Sequence, residues 1–359
     1  VADFEKKRIV VAMSGGVDSS VSAALLKEQG HEVIGVSLQL YERTEAAQPG
    51  GRTCCSLNDV MDAARVAKRL GIPFQVIDLR QRFKELVIDD FIAEYRVGRT
   101  PNPCARCNDR IKFGILLDMA ASLGADTLAT GHYARIEKDA DGNYQLLKGL
   151  DPGKDQTYFL FGMKKEQLAR TIFPVGTMEK PQVRELAERF NLPVARKRES
   201  QEICFIPDND YVRFLEENGI SAAPGDIVDV RGKKLGSHRG IHHFTVGQRR
   251  GLGIASKKPL YVTGLDQEHS RVVAGPREDL YRSGLVAAEC TWTNQVISGV
   301  FQGSCSIRYR QQPVPCSAWL TDDGHLQVNF EEKQYGVTPG QAVVLYDGDR
   351  VVGGGWIEA

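Results

Sequence analysis

Apolar and polar positions follow two different rhythms along this chain. Up to about Gly131, strand-length apolar runs alternate with stretches of helical spacing. Arg8 to Met13 reads as a buried strand and Val17 onward as a helix, while His31 to Leu40 and Phe74 to Leu79 predict two further strands. Val60 to Leu70 has helical spacing and stops at Gly71-Ile72-Pro73; Thr127 to Ala129 is another short strand. This alternation predicts an α/β domain, a parallel sheet covered on both faces. Pro181 to Asn191 predicts a helix with proline in its allowed first turn. From about Pro224 the rhythm becomes short alternating strands broken by glycine, without a long helix. It predicts a small β-rich unit to about Asp279 and a β-barrel from about Gly284. The expected domains are 1–210, 211–280 and 281–359.

The densest chemistry lies where the first strand meets the first helix, in Val10-Val-Ala12-Met13-Ser14-Gly15-Gly16-Val17-Asp18-Ser19-Ser20. Two glycines let the backbone approach a ligand, two hydroxyls flank it, and a helix start presents unpaired N–H groups. Such a turn cradles phosphate. It lacks the Gly-Lys-Ser/Thr ending of a Walker loop, and Asp18 is placed to hold Mg²⁺ on a pyrophosphate. Open α/β sheets bind ligands at the carboxyl ends of their strands, which brings Leu38, Gly131 and His132 near this turn, either as contacts or as packing.

At 359 residues, two or three domains are expected. No apolar run approaches the roughly 18–20 residues of a membrane span, and the N-terminus has no signal-peptide pattern, which predicts a cytoplasmic protein with no membrane partner. The 46 basic and 46 acidic residues cancel, yet Arg231 to Leu260 holds Arg231, Lys233, Lys234, Arg239, Arg249, Arg250, Lys257 and Lys258 with no carboxylate. A neutral total thus hides a basic face suited to phosphate. Within that stretch His238, His242 and His243 suggest metal by spacing, but without a neighbouring carboxylate or cysteine they read as solvated hairpin tips.

Eight cysteines in a cytosolic chain point to reactivity or metal rather than a disulfide framework. Cys104 and Cys107 form a C-x-x-C between Pro101, Pro103 and a helix expected from about Arg110; the prolines predict a constrained loop, and Arg106 or Arg110 would favour thiolate. A redox pair, half a zinc site and part of an iron–sulfur site remain open. Cys204 lies among apolar residues, Cys54 and Cys55 read as packing or a relay pair, and Cys290, Cys305 and Cys316 fall in β-rich sequence as space-fillers. Lys154, Asp155 and Gln156 form a polar turn before an apolar run. Ile307-Arg-Tyr309-Arg310 predicts a strand offering a stacking ring and two cations, and Pro339-Gly-Gln341 a turn.

Taken together, SGGVDSS, TPNPCARCN, TGHYAR, GKDQTYFL, SQEICFI and FTVGQRRGLG resemble the tRNA-specific 2-thiouridylases over essentially the whole chain. That resemblance implies a PP-loop (adenine nucleotide alpha hydrolase-like) domain, a small central domain and a C-terminal β-barrel. It implies an ATP site of Ala12, Met13, Ser14, Gly15, Gly16, Val17, Asp18, Ser19, Leu38 and Gly131. It further implies Cys107 as nucleophile, Cys204 as persulfide carrier with a transient disulfide between them, and Asn102, Pro103 and Cys104 at the target base. Contacts to tRNA would come from His132, Lys154, Asp155, Gln156, Tyr309, Arg310 and Gln341. The implied reaction is 2-thiolation of a wobble uridine with release of AMP and pyrophosphate, using ATP and Mg²⁺ and a sulfur-relay protein or cysteine desulfurase as donor. Alternatives are a [4Fe–4S] cluster on Cys104, Cys107 and Cys204, or a different AMP-forming PP-loop synthetase. Some family members carry Asp where this chain has Cys104, so a general acid–base role for that carboxylate does not transfer.

Overall fold

The computed structural model describes residues 6–41, 57–198, 203–206 and 208–358. Cys54 and Cys55 lie outside them. In chain order the first part carries β1 (Arg8–Ala12), α1 (Val17–Glu28), β2 (Glu32–Gln39), α2 (Leu57–Leu70), β3 (Phe74–Asp78), β4 (Thr127–Ala129), the hairpin strands β5 (Ala134–Lys138) and β6 (Tyr144–Lys148), and β7 (Thr171–Ile172). Five strands form a sheet in the order β3-β2-β1-β4-β7, and the β1–β2, β2–β3, β1–β4 and β4–β7 pairs are parallel. In β1, Ile9, Val10 and Val11 are wholly buried, as expected of a strand covered on both faces. Its period of two sends Ile9 and Val11 to the core under α1 and α2, and Val10 to the opposite core under the helical stretches 80–96 and 103–122. Strand order reverses beside β1, so the turns following β1 and β4 bound one crevice.

The central unit contains β8 (Gly225–Val228), β9 (Lys234–His238), β10 (Tyr261–Asp266) and β11 (Arg271–Gly275), ordered β10-β11-β8-β9. Ile227, Ile241, Phe244, Leu252, Val262, Val272 and Ala274 give it a core of its own. The last unit holds β12 (Tyr281–Trp292), β13 (Phe301–Ser306), β14 (Val314–Leu320), β15 (Leu326–Tyr335), β16 (Ala342–Asp347) and β17 (Arg350–Ile357). Pairing runs β12-β15-β14-β13-β16-β17, and β17 returns to β12, which closes a six-stranded antiparallel barrel. Closure removes the exposed edges that an open sheet would present. Cys305 and Cys316 are buried inside it, as expected of space-filling cysteines.

The barrel is fused to the first unit rather than tethered to it. Strand β6 pairs with β17 at Arg350↔Leu147, and Ala342, Val344, Tyr346 and Val351 belong to the same core as Val10, Ile111 and Leu160.

Two local expectations need correction. The C-x-x-C is not presented from a loop ahead of a helix. Helix begins at Pro103, includes both cysteines and continues as a π-helical stretch, Cys107–Leu116. Proline at the first helical position sacrifices an N–H that has no partner there anyway, and Asn102 caps the turn by accepting from the Ala105 N–H at 3.2 Å. Residues 307–310 are a turn, not a strand; Arg310 is left-handed at φ 62° and Tyr309 packs on the Phe159 ring at 4.4 Å.

Candidate nucleotide and thiol site

The phosphate turn is organised by its own hydroxyls. Ser19 Oγ lies 3.2 Å from the Ser14 N–H it accepts from and 3.3 Å from Ser14 Oγ, and Ser20 Oγ donates to the Gly16 carbonyl at 2.7 Å. Gly16 caps α1 with no side chain over the helix start, which leaves room for an anion at the first-turn amides. Glycine is obligatory at two positions. Gly15 has φ +70°, and a Cβ there would sit 2.2 Å from the Asp59 carbonyl oxygen; at Gly131 a Cβ would sit 2.5 Å from the Ser19 nitrogen. Met13, Val17 and Leu38 are buried packing under this turn, and Ala12 ends β1 beneath it. The cradle fits a nucleotide phosphate.

Two lysines that sequence reasoning overlooked surround the turn. Lys180 Nζ reaches the Asp18 carboxylate at 2.6 and 2.9 Å, and the Tyr133 hydroxyl donates to Asp18 Oδ1 at 2.9 Å. Lys197 Nζ bonds Asp59 at 2.7 Å, Asp62 at 2.6 Å and the Gly15 carbonyl at 3.0 Å. Ammonium groups from distant segments thus tie the carboxylates beside the turn and the Gly15 carbonyl. One signal was available: Lys180 opens a helix, where the macrodipole disfavours a cation, so its presence there requires a carboxylate partner.

Across the crevice, His132 Nδ1 lies 2.7 Å from Thr130 Oγ1 and the ring packs against Phe113 and Phe173. It is 9% exposed, and burial first, then the Lys112 charge, hold it well below the usual histidine range. Phe113 belongs to the helix that carries Cys107, so one ring joins the nucleotide crevice to the thiol helix.

Cys104 is exposed on that helix, and Cys107, 8% exposed, packs into the core against which Cys204 also packs. Phe205 stacks edge-on against Phe83 and Phe91, and Asp90, next to Phe91, pairs with Arg110 at 2.9 Å. Phe205, the neighbour of Cys204, thus packs on the helical layer that also pairs with the Cys107 helix through Arg110. Arg106 and Arg110, expected beside the thiols, each pair with a carboxylate. Arg106 is committed to Glu289 at 2.7 Å and to the Trp356 ring at 3.9 Å, Arg110 to Asp90, because carboxylates from neighbouring elements offer stronger pairing.

Barrel residues hold the loop before the helix. Gln341 Nε2 donates to the Thr100 and Pro101 carbonyls at 2.8 and 3.2 Å, and the Thr100 N–H donates to the Pro339 carbonyl at 2.8 Å. Asp155 accepts from the Gly149 N–H and the Thr157 hydroxyl, its carboxyl pushed up by burial, and Gln156 accepts from the Tyr133 N–H at 2.9 Å. Lys154 heads the same turn. In the central unit Arg249, Arg250, Lys257 and Lys258 are exposed and have no ion-pair partner among the described residues; Arg249, Lys257 and Lys258 line an open cavity of about 580 Å³. The nearby histidines are not solvated tips. His238 and His242 are buried, and Glu216, from a helix well upstream in sequence, supplies the carboxylate that local spacing did not show.

The fold and site define a PP-loop-type α/β unit joined to a PRC-type barrel and a closed β-barrel. Residues 7–208 match the family model "tRNA methyl transferase HUP domain", 212–276 its PRC-barrel domain and 282–357 an aminomethyltransferase β-barrel domain. A tRNA-specific 2-thiouridylase MnmA from Geobacter metallireducens is 59% identical over 99% of this chain and 97% of its own length. Those from Geotalea uraniireducens and Magnetococcus marinus are 57% and 49% identical, covering 100% and 98% of this chain and 96% and 99% of their own lengths. The chain belongs to the tRNA-specific 2-thiouridylase family. No helix among the described residues is long and apolar enough to cross a membrane.

Proposed function

We propose that this protein is a cytoplasmic tRNA-uridine 2-sulfurtransferase that activates the C2 carbonyl of a wobble uridine with ATP and replaces its oxygen with sulfur. The observation that carries the reading is the shared wall: the phosphate cradle and the Cys107 helix meet at His132 and Phe113. In this reading the C2 oxygen attacks the α-phosphorus and pyrophosphate leaves towards the α1 amides and Lys180; Asp18 would help hold a Mg²⁺, which would supply further neutralisation of the phosphate charge. Cys204 carries the persulfide delivered by a sulfur-relay protein or cysteine desulfurase. The Cys107 thiolate attacks the inner sulfur of Cys204, forming a Cys107–Cys204 disulfide and releasing hydrosulfide, which adds at C2 and expels AMP. An external dithiol then reduces the disulfide. The target base leaves its stack to reach the pocket near Asn102, Pro103 and Cys104.

The proposed units are 1–210 for nucleotide chemistry, 211–280 and 281–359 for tRNA. Exposed Arg249, Arg250, Lys257 and Lys258, together with Lys154, Tyr309 and Arg310, suit its phosphates and bases. Asp155, Gln156, His132 and Gln341 contribute by fixing the turns that face the RNA. The competing reading is a [4Fe–4S] cluster on Cys104, Cys107 and Cys204. The test is single-turnover thiolation with unmodified tRNA, ATP-Mg²⁺ and a persulfide donor. Wild type is expected to yield thiouridine, AMP and pyrophosphate, while Cys107→Ser and Cys204→Ser yield none. Normal thiolation by both variants would remove the cysteine assignment, and a 400 nm band in anaerobically purified protein would favour the cluster.

A further inference from the structure

Glu216, His242 and His243 converge at the junction between the helix Tyr211–Glu217 and the central β unit. Nε2 of each histidine lies 3.4 Å from the same oxygen, Glu216 Oε1, and ligand atoms of all three residues fall within 4.8 Å of one another. That spacing is long for hydrogen bonding, where N···O distances centre near about 2.9–3.0 Å. His243 Nε2 is buried and makes no hydrogen bond at all. The distance does match another geometry. Zinc ligands at about 2.0–2.1 Å in a tetrahedron are separated by about 3.3–3.4 Å, the edge of that tetrahedron.

We propose that Glu216, His242 and His243 bind one divalent transition-metal ion of the zinc class. Imidazole nitrogen and carboxylate oxygen suit zinc, cobalt and nickel better than calcium or magnesium, and a three-residue set leaves a fourth position for water. His242 is 3% exposed, which supplies the dry surroundings that favour a firmly held ion. The position indicates what the ion does. Leu215, preceding Glu216, is wholly buried in the main core, and Phe214 packs on Phe205 at 5.2 Å, one residue from Cys204. The ion would therefore tie the helix that supports the Cys204 segment to the β-sheet within the central unit, fixing the angle between helix and sheet.

The experiment is zinc content per chain after equilibration with trace zinc, compared between wild type, Glu216→Gln and His243→Ala. Subtraction removes any zinc held by cysteines, which all three proteins share. Glu216 is 43% exposed, so Glu216→Gln keeps the fold intact. Wild type is expected to exceed each variant by one equivalent, to show tetrahedral d–d bands with Co²⁺ that both variants lack, and to gain a higher unfolding midpoint on zinc addition that Glu216→Gln does not. Equal zinc content in all three, or a midpoint shift of the same size in Glu216→Gln, overturns the site.

Discussion

At the phosphate turn, Ser14, Gly16, Ser19 and Ser20 bond to one another within a short run of chain. The cysteine turn is held differently, by Gln341 on the preceding loop, by Glu289 and Trp356 on Arg106, and by the Phe159 carbonyl, which accepts from Asn108 at 3.1 Å. Three of those anchors belong to the barrel. The hydroxyls and backbone of the first site are thus set mainly within a short run of chain, with Lys180 and Lys197 reaching it from other segments of the same unit, whereas the second is set by docking of a remote domain. It follows that the two can be damaged separately, and that barrel substitutions should disturb sulfur transfer while leaving nucleotide binding alone.

The largest effect belongs to Gly15→Ala. The added Cβ would lie 2.2 Å from a backbone oxygen that cannot swing aside, in a left-handed conformation that alanine resists. A displacement of that order in a positioning loop costs about 100-fold, so nucleotide affinity or thiolation should fall by about that factor. Gly142→Ala is the control: its φ is +81° but nothing lies within 4 Å, so it should cost about 1 kcal/mol of stability and leave nucleotide binding intact. Equal loss of binding in both would show that the close approach to Asp59 is irrelevant.

Arg106→Ala tests the other side. The guanidinium is buried and bridges Glu289, Asp90 and Trp356. Breaking a fully buried pair costs about 3–5 kcal/mol, but the Glu289 side chain is 62% exposed and regains water, and Asp90 keeps Arg110. Urea unfolding should therefore report a loss of about 2 kcal/mol, with sulfur transfer impaired and nucleotide affinity unchanged. A drop in nucleotide affinity like that of Gly15→Ala would collapse the distinction between the sites.

This distinction also explains what could be read from sequence. The parallel sheet and the phosphate turn were legible because Ile9, Val10 and Val11, two glycines and two serines carry their signal in adjacent residues. The closed barrel was legible as a class from alternation and glycine punctuation. Partners across the fold were not. Nothing near Asp18 indicates Lys180, nothing near Arg106 indicates Glu289, and the local sequence of the histidines holds no carboxylate because Glu216 arrives on the helix that opens the central domain, ahead of its sheet. The start of the cysteine helix is hidden for a local reason, since Pro103 signals a break by residue type while its position, the first of the helix, is the one a helix tolerates.

His132, between the sites, gives a pH signature. Its folded-state pKa is lowered by burial, so above the ordinary histidine value of about 6.5 it is neutral folded or unfolded and contributes no pH dependence. Below that value the unfolded chain takes up a proton that the folded chain refuses, and stability falls by up to about 1.4 kcal/mol per pH unit. His238 and His242 are shifted down by burial too and add to the slope. Unfolding measured at pH 7 and pH 5 should therefore show a shallower loss for His132→Asn than for wild type. Parallel slopes would mean that His132 is protonated in the folded protein.

The smallest effect, and the sharpest probe of docking, is Gln341→Ala. The side chain contributes two hydrogen bonds to loop carbonyls, and the loop is also tied by the Thr100 N–H to Pro339, so the stability lost should be about 1 kcal/mol. Thiolation should respond more than stability does, because the freed carbonyls belong to Thr100 and Pro101, immediately ahead of the helix cap at Asn102. A several-fold fall in kcat for sulfur transfer with an unchanged KM for ATP is expected. Gln341→Glu sharpens the reading: it keeps the length of the side chain but loses the N–H donors and faces the carbonyls with negative charge, so it should be worse than alanine. If glutamate instead restores wild-type kcat, the amide grips the RNA or fills space, and the loop is held by Pro339 alone.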